Sequence, residues 1–110
     1  MPAVYPREVP ILIRKEPGST PDVVRVSFEL PPTVWAESVH LVGDFNDWDT
    51  QSLPMKRGRS GETWTLTLEL RRGREYQFRY LINGTEWCND WDADRYVPNP
   101  YGGDNSVVLL

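Results

Sequence analysis

Tyr76-Gln77-Phe78-Arg79-Tyr80-Leu81-Ile82-Asn83-Gly84 is the stretch that decides the fold. Tyr76, Phe78, Tyr80 and Ile82 alternate with Gln77, Arg79 and Leu81, the period of a β-strand with one buried face. Asn83-Gly84 then predicts a hairpin, because a type I′ turn needs positive φ at both central positions. Upstream, Trp64, Leu66, Leu68 and Leu70 alternate with Thr63, Thr65, Thr67 and Glu69, and Arg71-Arg72-Gly73 turns the chain. Trp64 is in phase with the leucines and is assigned to the core. Val24, Val26, Phe28 and Leu30 alternate with Arg25, Ser27 and Glu29 until Pro31-Pro32 stops them. Ser38 to Val42 is a shorter strand ended by Gly43, and Ser106 to Leu110 is a last one. No proline interrupts the three clearest strands, as a paired sheet requires. About seven short strands with no helical periodicity predict an all-β, immunoglobulin-like β-sandwich.

The chain of 110 residues fits one domain and falls far short of the roughly 250 residues of a (β/α)₈ barrel. Residues 1–21 are expected to be a lead-in with a short strand from Pro10 to Ile13, and residues 22–110 a single β-sandwich domain. The formal net charge is −4 and the basic residues are scattered, which argues against a nucleic-acid partner. Ile11-Leu12-Ile13 is too short to cross a membrane or to form a signal-peptide core, so no membrane partner is expected. The single cysteine, Cys88, has no internal disulfide partner, and the expected location is the cytoplasm.

Five Trp and five Tyr must fill the core or line a surface. Trp48 follows Asn46-Asp47 where the chain leaves the strand ending at Val42, and Trp87 follows the hairpin turn. Each either packs or binds. Phe45 is expected to plug the core beneath the loop of Trp48, Trp35 to cover one end of the sandwich, and Trp91 is open between the two roles. Arg79 points to the face opposite Phe78 and Tyr80. It is either a solvated cation or a donor near Trp87. Asn105 either contributes an amide in the same way or holds a turn.

Two indoles on neighbouring loops with polar groups between them suit a sugar. A pyranose has flat C–H faces that lie on aromatic rings and a rim of hydroxyls that need hydrogen bonds. Each such bond replaces one to water and nets about 1 kcal/mol, so a short oligosaccharide would bind weakly. Asp90, Asp92 and Asp94 invite a calcium loop, but Arg95 and Tyr101 stand where glycine and glutamate are needed. As a hydrolytic carboxylate pair they lack any sign of a deep cleft. His40, the only histidine, supports neither a triad nor a zinc site. No metal, cofactor or catalytic residue is expected.

Gly43-Asp44-Phe45-Asn46-Asp47-Trp48, Leu53-Pro54-Met55, the strand Tyr76 to Gly84, and Trp87 together resemble the family 48 carbohydrate-binding modules. These include the glycogen-binding domain of AMP-activated protein kinase β subunits and the early set domain of isoamylases and branching enzymes. The resemblance runs from about Ser38 to Leu110. It implies an early set sandwich that binds α-1,4-linked glucans such as glycogen, starch or maltooligosaccharides. By the same resemblance Trp48 and Trp87 form the sugar platform, with Arg79 and Asn105 as polar contacts. Tyr101-Gly102-Gly103 stands where the kinase domain has Leu-Gly-Thr, so Tyr101 replaces a leucine that enters the ring of the glucan. The alternative expectation is an interaction domain of the same fold that docks on a glucan-metabolising enzyme without binding sugar.

Overall fold

A computed structural model describes residues 13–30, 36–57, 63–90 and 93–110. Trp35, Trp91, Asp92, Pro31-Pro32 and the segment Pro10 to Leu12 lie outside the described residues. Nine strands and one 3₁₀ turn, Asp44–Asn46, are present among those described, and no α-helix. Strands β1 (Ile13–Pro17), β2 (Val23–Leu30), β4 (Lys56–Arg57) and β5 (Trp64–Arg71) form an antiparallel sheet in the order β1-β2-β5-β4. Strands β3 (Val39–Gly43), β6 (Glu75–Ile82), β8 (Arg95–Pro98) and β9 (Asp104–Leu109) form the second sheet in the order β3-β6-β9-β8, and β7 (Glu86–Cys88) pairs with β6. The protein is an all-β sandwich.

Alternation puts one face of each sheet inward. Val24, Val26, Phe28 and Leu30 of β2 are buried, as are Phe78, Tyr80 and Ile82 of β6. Between the sheets Phe28 meets the edge of Phe78 at 5.1 Å, and within β6 Phe78 meets Tyr80 at 5.7 Å. Trp64 is buried, and Phe45 packs on Phe28 at 5.8 Å, so both aromatics take the places the sequence gives them. Gly43 has an extended backbone, but a Cβ there would lie 2.5 Å from the Gln77 carbonyl oxygen and 2.7 Å from the Phe78 Cβ. Only glycine lets β3 end this close to β6.

Some boundaries differ from the sequence reading. From Ile13, the last residue of the expected segment, β1 runs on to Pro17, because its pairing with β2 continues to Pro17↔Val24. The last strand begins at Asp104, two residues early, because Asp104 and Asn105 pair with Pro98 and Val97. The strand β8 is short, lies at an edge and ends in proline, so its pattern is weak.

Two polar side chains, Asp90 and Ser106, are deeply buried. Asp90 accepts from the Tyr80 hydroxyl at 2.5 Å, and its own N–H donates to Ser106 Oγ at 3.0 Å. Burial first, and the Asp90 charge second, push the Tyr80 hydroxyl well above its usual range. It therefore stays a donor to the carboxylate. At the sandwich edge, Lys15 of β1 donates to Asp94 Oδ2 at 2.7 Å, and the Leu109 N–H of β9 donates to the same oxygen at 2.7 Å. This contact ties the two sheets together.

Asn83 and Gly84 both have positive φ, 53° and 74°, as the hairpin expectation requires. The register nevertheless holds one residue more than a two-residue turn, because Ile82 pairs with Glu86 and Leu81 with Trp87. Thr85 is the extra residue. Cross-strand partners share a face, so Trp87 points outward with Leu81. Were Thr85 instead paired with Ile82 across a two-residue turn, Trp87 would pair with Tyr80 and point into the core.

Two predictions follow from these contacts. Deleting Thr85 leaves Ile82 opposite Glu86 across a two-residue Asn83-Gly84 turn, so Trp87 keeps its direction and the fold should lose under about 1 kcal/mol. Thr85→Ala keeps the count and should cost under about 1 kcal/mol, both being read from urea midpoints. A deletion that costs about 2 kcal/mol more than the substitution, the scale of a core overpacked by a misdirected indole, would refute the register argument. Separately, burial raises the Asp94 carboxyl, but the Leu109 N–H and Lys15 lower it further, so it lies below its ordinary 3.8. The contribution is complete above the ordinary aspartate range and is lost as pH falls through the lowered folded value. The stability gap between wild type and Asp94→Asn should be at most about 1 kcal/mol at neutral pH and should close in acid. A gap constant down to pH of about 2.5 would refute it.

Candidate functional site

The outer faces of the two sheets differ in how far they satisfy themselves. On the β2–β5 sheet, Arg25 pairs with Glu69 at 3.2 Å, Arg14 with Glu29 at 3.5 Å, and Ser27 Oγ lies 3.0 Å from Thr67 Oγ1. That face is a closed polar ladder. On the other sheet, Gln77, Arg79 and Leu81 of β6 project away from the core beside Trp87 of β7 and Asn105 of β9. A cleft of about 570 Å3 opens here, within the size range of small-ligand sites. All five residues expected to form a site line it: Trp48, Arg79, Trp87, Tyr101 and Asn105. Asp44, Gln77, Asn99 and Pro100 complete the lining.

The Trp48 wall is built by the segment after β3. Asn46 accepts the Gly43 N–H at 3.0 Å and donates to the Asp49 carbonyl at 3.1 Å and to Ser52 Oγ at 2.9 Å. This closes a tight turn. Asp47 and Trp48 then both take positive φ, 56° and 58°, a region that bulky residues disfavour by roughly 1 kcal/mol or more each. The Trp48 N–H donates to the Gly43 carbonyl at 2.9 Å, and its Nε1–H donates to Asp44 Oδ1 at 2.9 Å.

The Trp87 wall stands on the hairpin, with its ring 43% exposed. The guanidinium carbon of Arg79 lies 5.7 Å from that ring's centroid, in cation–π range. Among the described residues Arg79 forms no ion pair, and its buried Nε has no hydrogen-bond partner. Tyr101 is the outermost wall at 93% exposed. It sits on the β8–β9 loop before Gly102, whose φ of 92° lets the chain reverse.

A line of amides runs across the floor. The Tyr101 N–H donates to Asn99 Oδ1 at 2.8 Å, and Asn99 Nδ2 donates to Asn105 Oδ1 at 3.2 Å. Asn105 Nδ2 donates to Gln77 Oε1 at 3.0 Å, and the Gln77 N–H donates to Asp44 Oδ2 at 2.7 Å. Asn105 is nine-tenths buried, and its amide is engaged at both ends within this line. Asp44, Gln77 and Asn99 escaped the sequence reading. Gln77 was detectable because it is two residues from Arg79 on the same strand face. Asp44 and Asn99 lie in loops, where spacing gives no direction.

The chemistry on offer is stacking and hydrogen bonding. The Cys88 thiol is raised, first by burial and then by the Asp90 charge, which makes it a poor nucleophile. Asp90 is inside the fold and Asp94 is held by Lys15 and the Leu109 N–H, so these two acids serve packing. Among the described residues no group of three His, Cys, Asp or Glu side chains is placed to hold a metal ion.

Residues 33–102 match carbohydrate-binding module 48, the isoamylase N-terminal domain. The chain is also 40% identical over 68 residues to a 1,4-alpha-glucan branching enzyme, GlgB, of Butyrivibrio fibrisolvens. That match covers 58% of this chain and 10% of the enzyme, so the chain spans about a tenth of that relative. The family match takes in β3 through β8 and four of the five expected site residues, all but Asn105. The chain belongs to the carbohydrate-binding module 48 family.

Proposed function

We propose that this domain binds α-1,4-linked glucans, such as glycogen, starch or maltooligosaccharides, and performs no catalysis itself. The observation that carries the reading is the convergence of Trp48, Trp87 and Tyr101 with Arg79 on one open cleft of a chain in this family. In the binding mode we infer, glucose rings stack on Trp48 and Trp87, and Tyr101 covers the glucan from the β8–β9 loop. The Arg79 guanidinium donates to sugar hydroxyls from beside Trp87. Asn105 contributes mainly by holding the floor, with one amide proton left for a hydroxyl.

An uncharged ligand suits the lining. Asp44, the one acid among the described lining residues, already accepts at both oxygens, so it presents no free carboxylate to a hydroxyl-rich ligand. The branching enzyme among its relatives supports a glucan-metabolising enzyme as the setting in which such a domain works. A domain of this kind raises the local concentration of polymer near a tethered active site.

Isothermal titration with maltoheptaose, together with native gels cast with and without glycogen, tests the proposal. Wild type should bind with a dissociation constant in the micromolar to millimolar range, on the order of −4 to −8 kcal/mol. Trp87→Ala and Trp48→Ala should each weaken binding roughly tenfold or more, and Arg79→Met by a factor of about five to ten. The exposed Trp87 should be replaceable with little change in the urea midpoint. Absence of both titration heat and gel retardation in wild type would overturn the sugar reading and favour the interaction-domain alternative.

A further inference from the structure

Trp48 carries a large ring on a backbone that the ring does not favour, directly after another residue in the same region. Such a turn has an easy route to relaxation, and a stacking surface that rotates is a poor one. The ring is held at its far end by Asp44, whose two oxygens divide the work. Oδ1 accepts the indole Nε1–H at 2.9 Å, and Oδ2 accepts the Gln77 N–H at 2.7 Å. One contact fixes the indole, and the other fixes the carboxylate to β6, the strand that carries Arg79.

We propose that Asp44 is a positioning residue that sets the plane of the Trp48 ring before ligand arrives; its effect on affinity rests on the glucan reading above. The geometry requires a carboxylate specifically. Two N–H donors converge on it, and a carboxylate offers two acceptors with no proton to interfere. An asparagine offers one oxygen, so its NH₂ must face either the Trp48 Nε1–H or the Gln77 N–H. Donor against donor releases whichever partner is freer, and the side-chain indole is freer than the strand backbone. Asp44 is itself exposed, so losing this hydrogen bond should disturb ring placement more than folding. A ring fixed in advance binds more tightly because less ordering remains to be done on association.

The experiment is a double-mutant cycle of Asp44→Asn with Trp48→Phe, since Phe keeps an aromatic face and has no N–H. Two readouts are needed: the maltoheptaose dissociation constant, and the solvent exchange of the Trp48 indole N–H in the sugar-free protein by NMR. In the wild-type background Asp44→Asn should weaken binding about tenfold and speed indole exchange about tenfold, with the urea midpoint nearly unchanged. In the Trp48→Phe background the same substitution should change affinity by less than about twofold. Equal weakening in both backgrounds would show that Asp44 acts without the indole and would overturn the proposal. Unchanged indole exchange would overturn it as well. Wild-type protein that binds no maltoheptaose would refute the glucan reading and the affinity half of this inference. The exchange rate, measured without sugar, decides the ring lock independently.

Discussion

Strand β6 is the constraint on which everything else depends. Its inward residues, Phe78, Tyr80 and Ile82, supply the centre of the core, and its outward residues, Gln77 and Arg79, supply the floor of the cleft. One edge pairs with β3 from Phe78 to Ile82. The other edge changes partner, from β9 at Phe78↔Ser106 to β7 at Tyr80↔Cys88. Arg79 lies at that change. Where one neighbouring strand leaves and another enters, the sheet surface is not continuous, and the β8–β9 loop and the hairpin rise on either side of the gap. The cleft is thus a consequence of how a single strand is shared.

Most of this was legible in the chain, because period 2 encodes direction as well as strand. Alternation through Trp64 to Leu70 and Tyr76 to Ile82 assigned Trp64 inward and Arg79 outward, and both are so placed. Trp87 was harder. Its direction depends on whether the hairpin holds two residues or three, and Asn83-Gly84 is compatible with both counts. The edge strand Arg95–Pro98 was illegible for a different reason, since four residues ending in proline leave too little alternation to detect. The amides of Asn99 and Asn105 gave no signal of their linkage. Side-chain hydrogen bonds between a loop and a strand depend on a chain reversal that only the folded backbone defines.

Strain and satisfaction are distributed unequally across the site. The Trp48 turn accepts two consecutive unfavourable backbone conformations, and Asn46 and Asp44 offset them with hydrogen bonds from opposite sides. The floor is nearly the reverse, with little strain and a continuous line of amides from Asn99 to Gln77. Such a line orders two edges of the cleft relative to each other without filling it. Tyr101 is tied to that line through its backbone and leaves its ring almost wholly in solvent. The walls therefore differ in freedom: Trp48 is pinned at two points, whereas the Tyr101 ring is free to find a partner.

This inequality fits a polymer with repeating, flat and weakly distinctive faces. A fully rigid cleft would demand one helical phase of the ligand, and a fully mobile one would lose most of its stacking energy to ordering. In the proposed binding mode, pinning one aromatic would fix where the first ring sits, and leaving another loose would tolerate variation farther along the chain. Arg79 lies between these extremes. Its head group stands over the Trp87 ring, and its buried Nε already lacks a partner, so its terminal nitrogens are the cationic donors available to a ligand here. The desolvation that a ligand would impose on this cation is in part already present in the free protein. A hydroxyl that meets the guanidinium therefore faces a smaller opposing cost than it would at a solvated surface arginine.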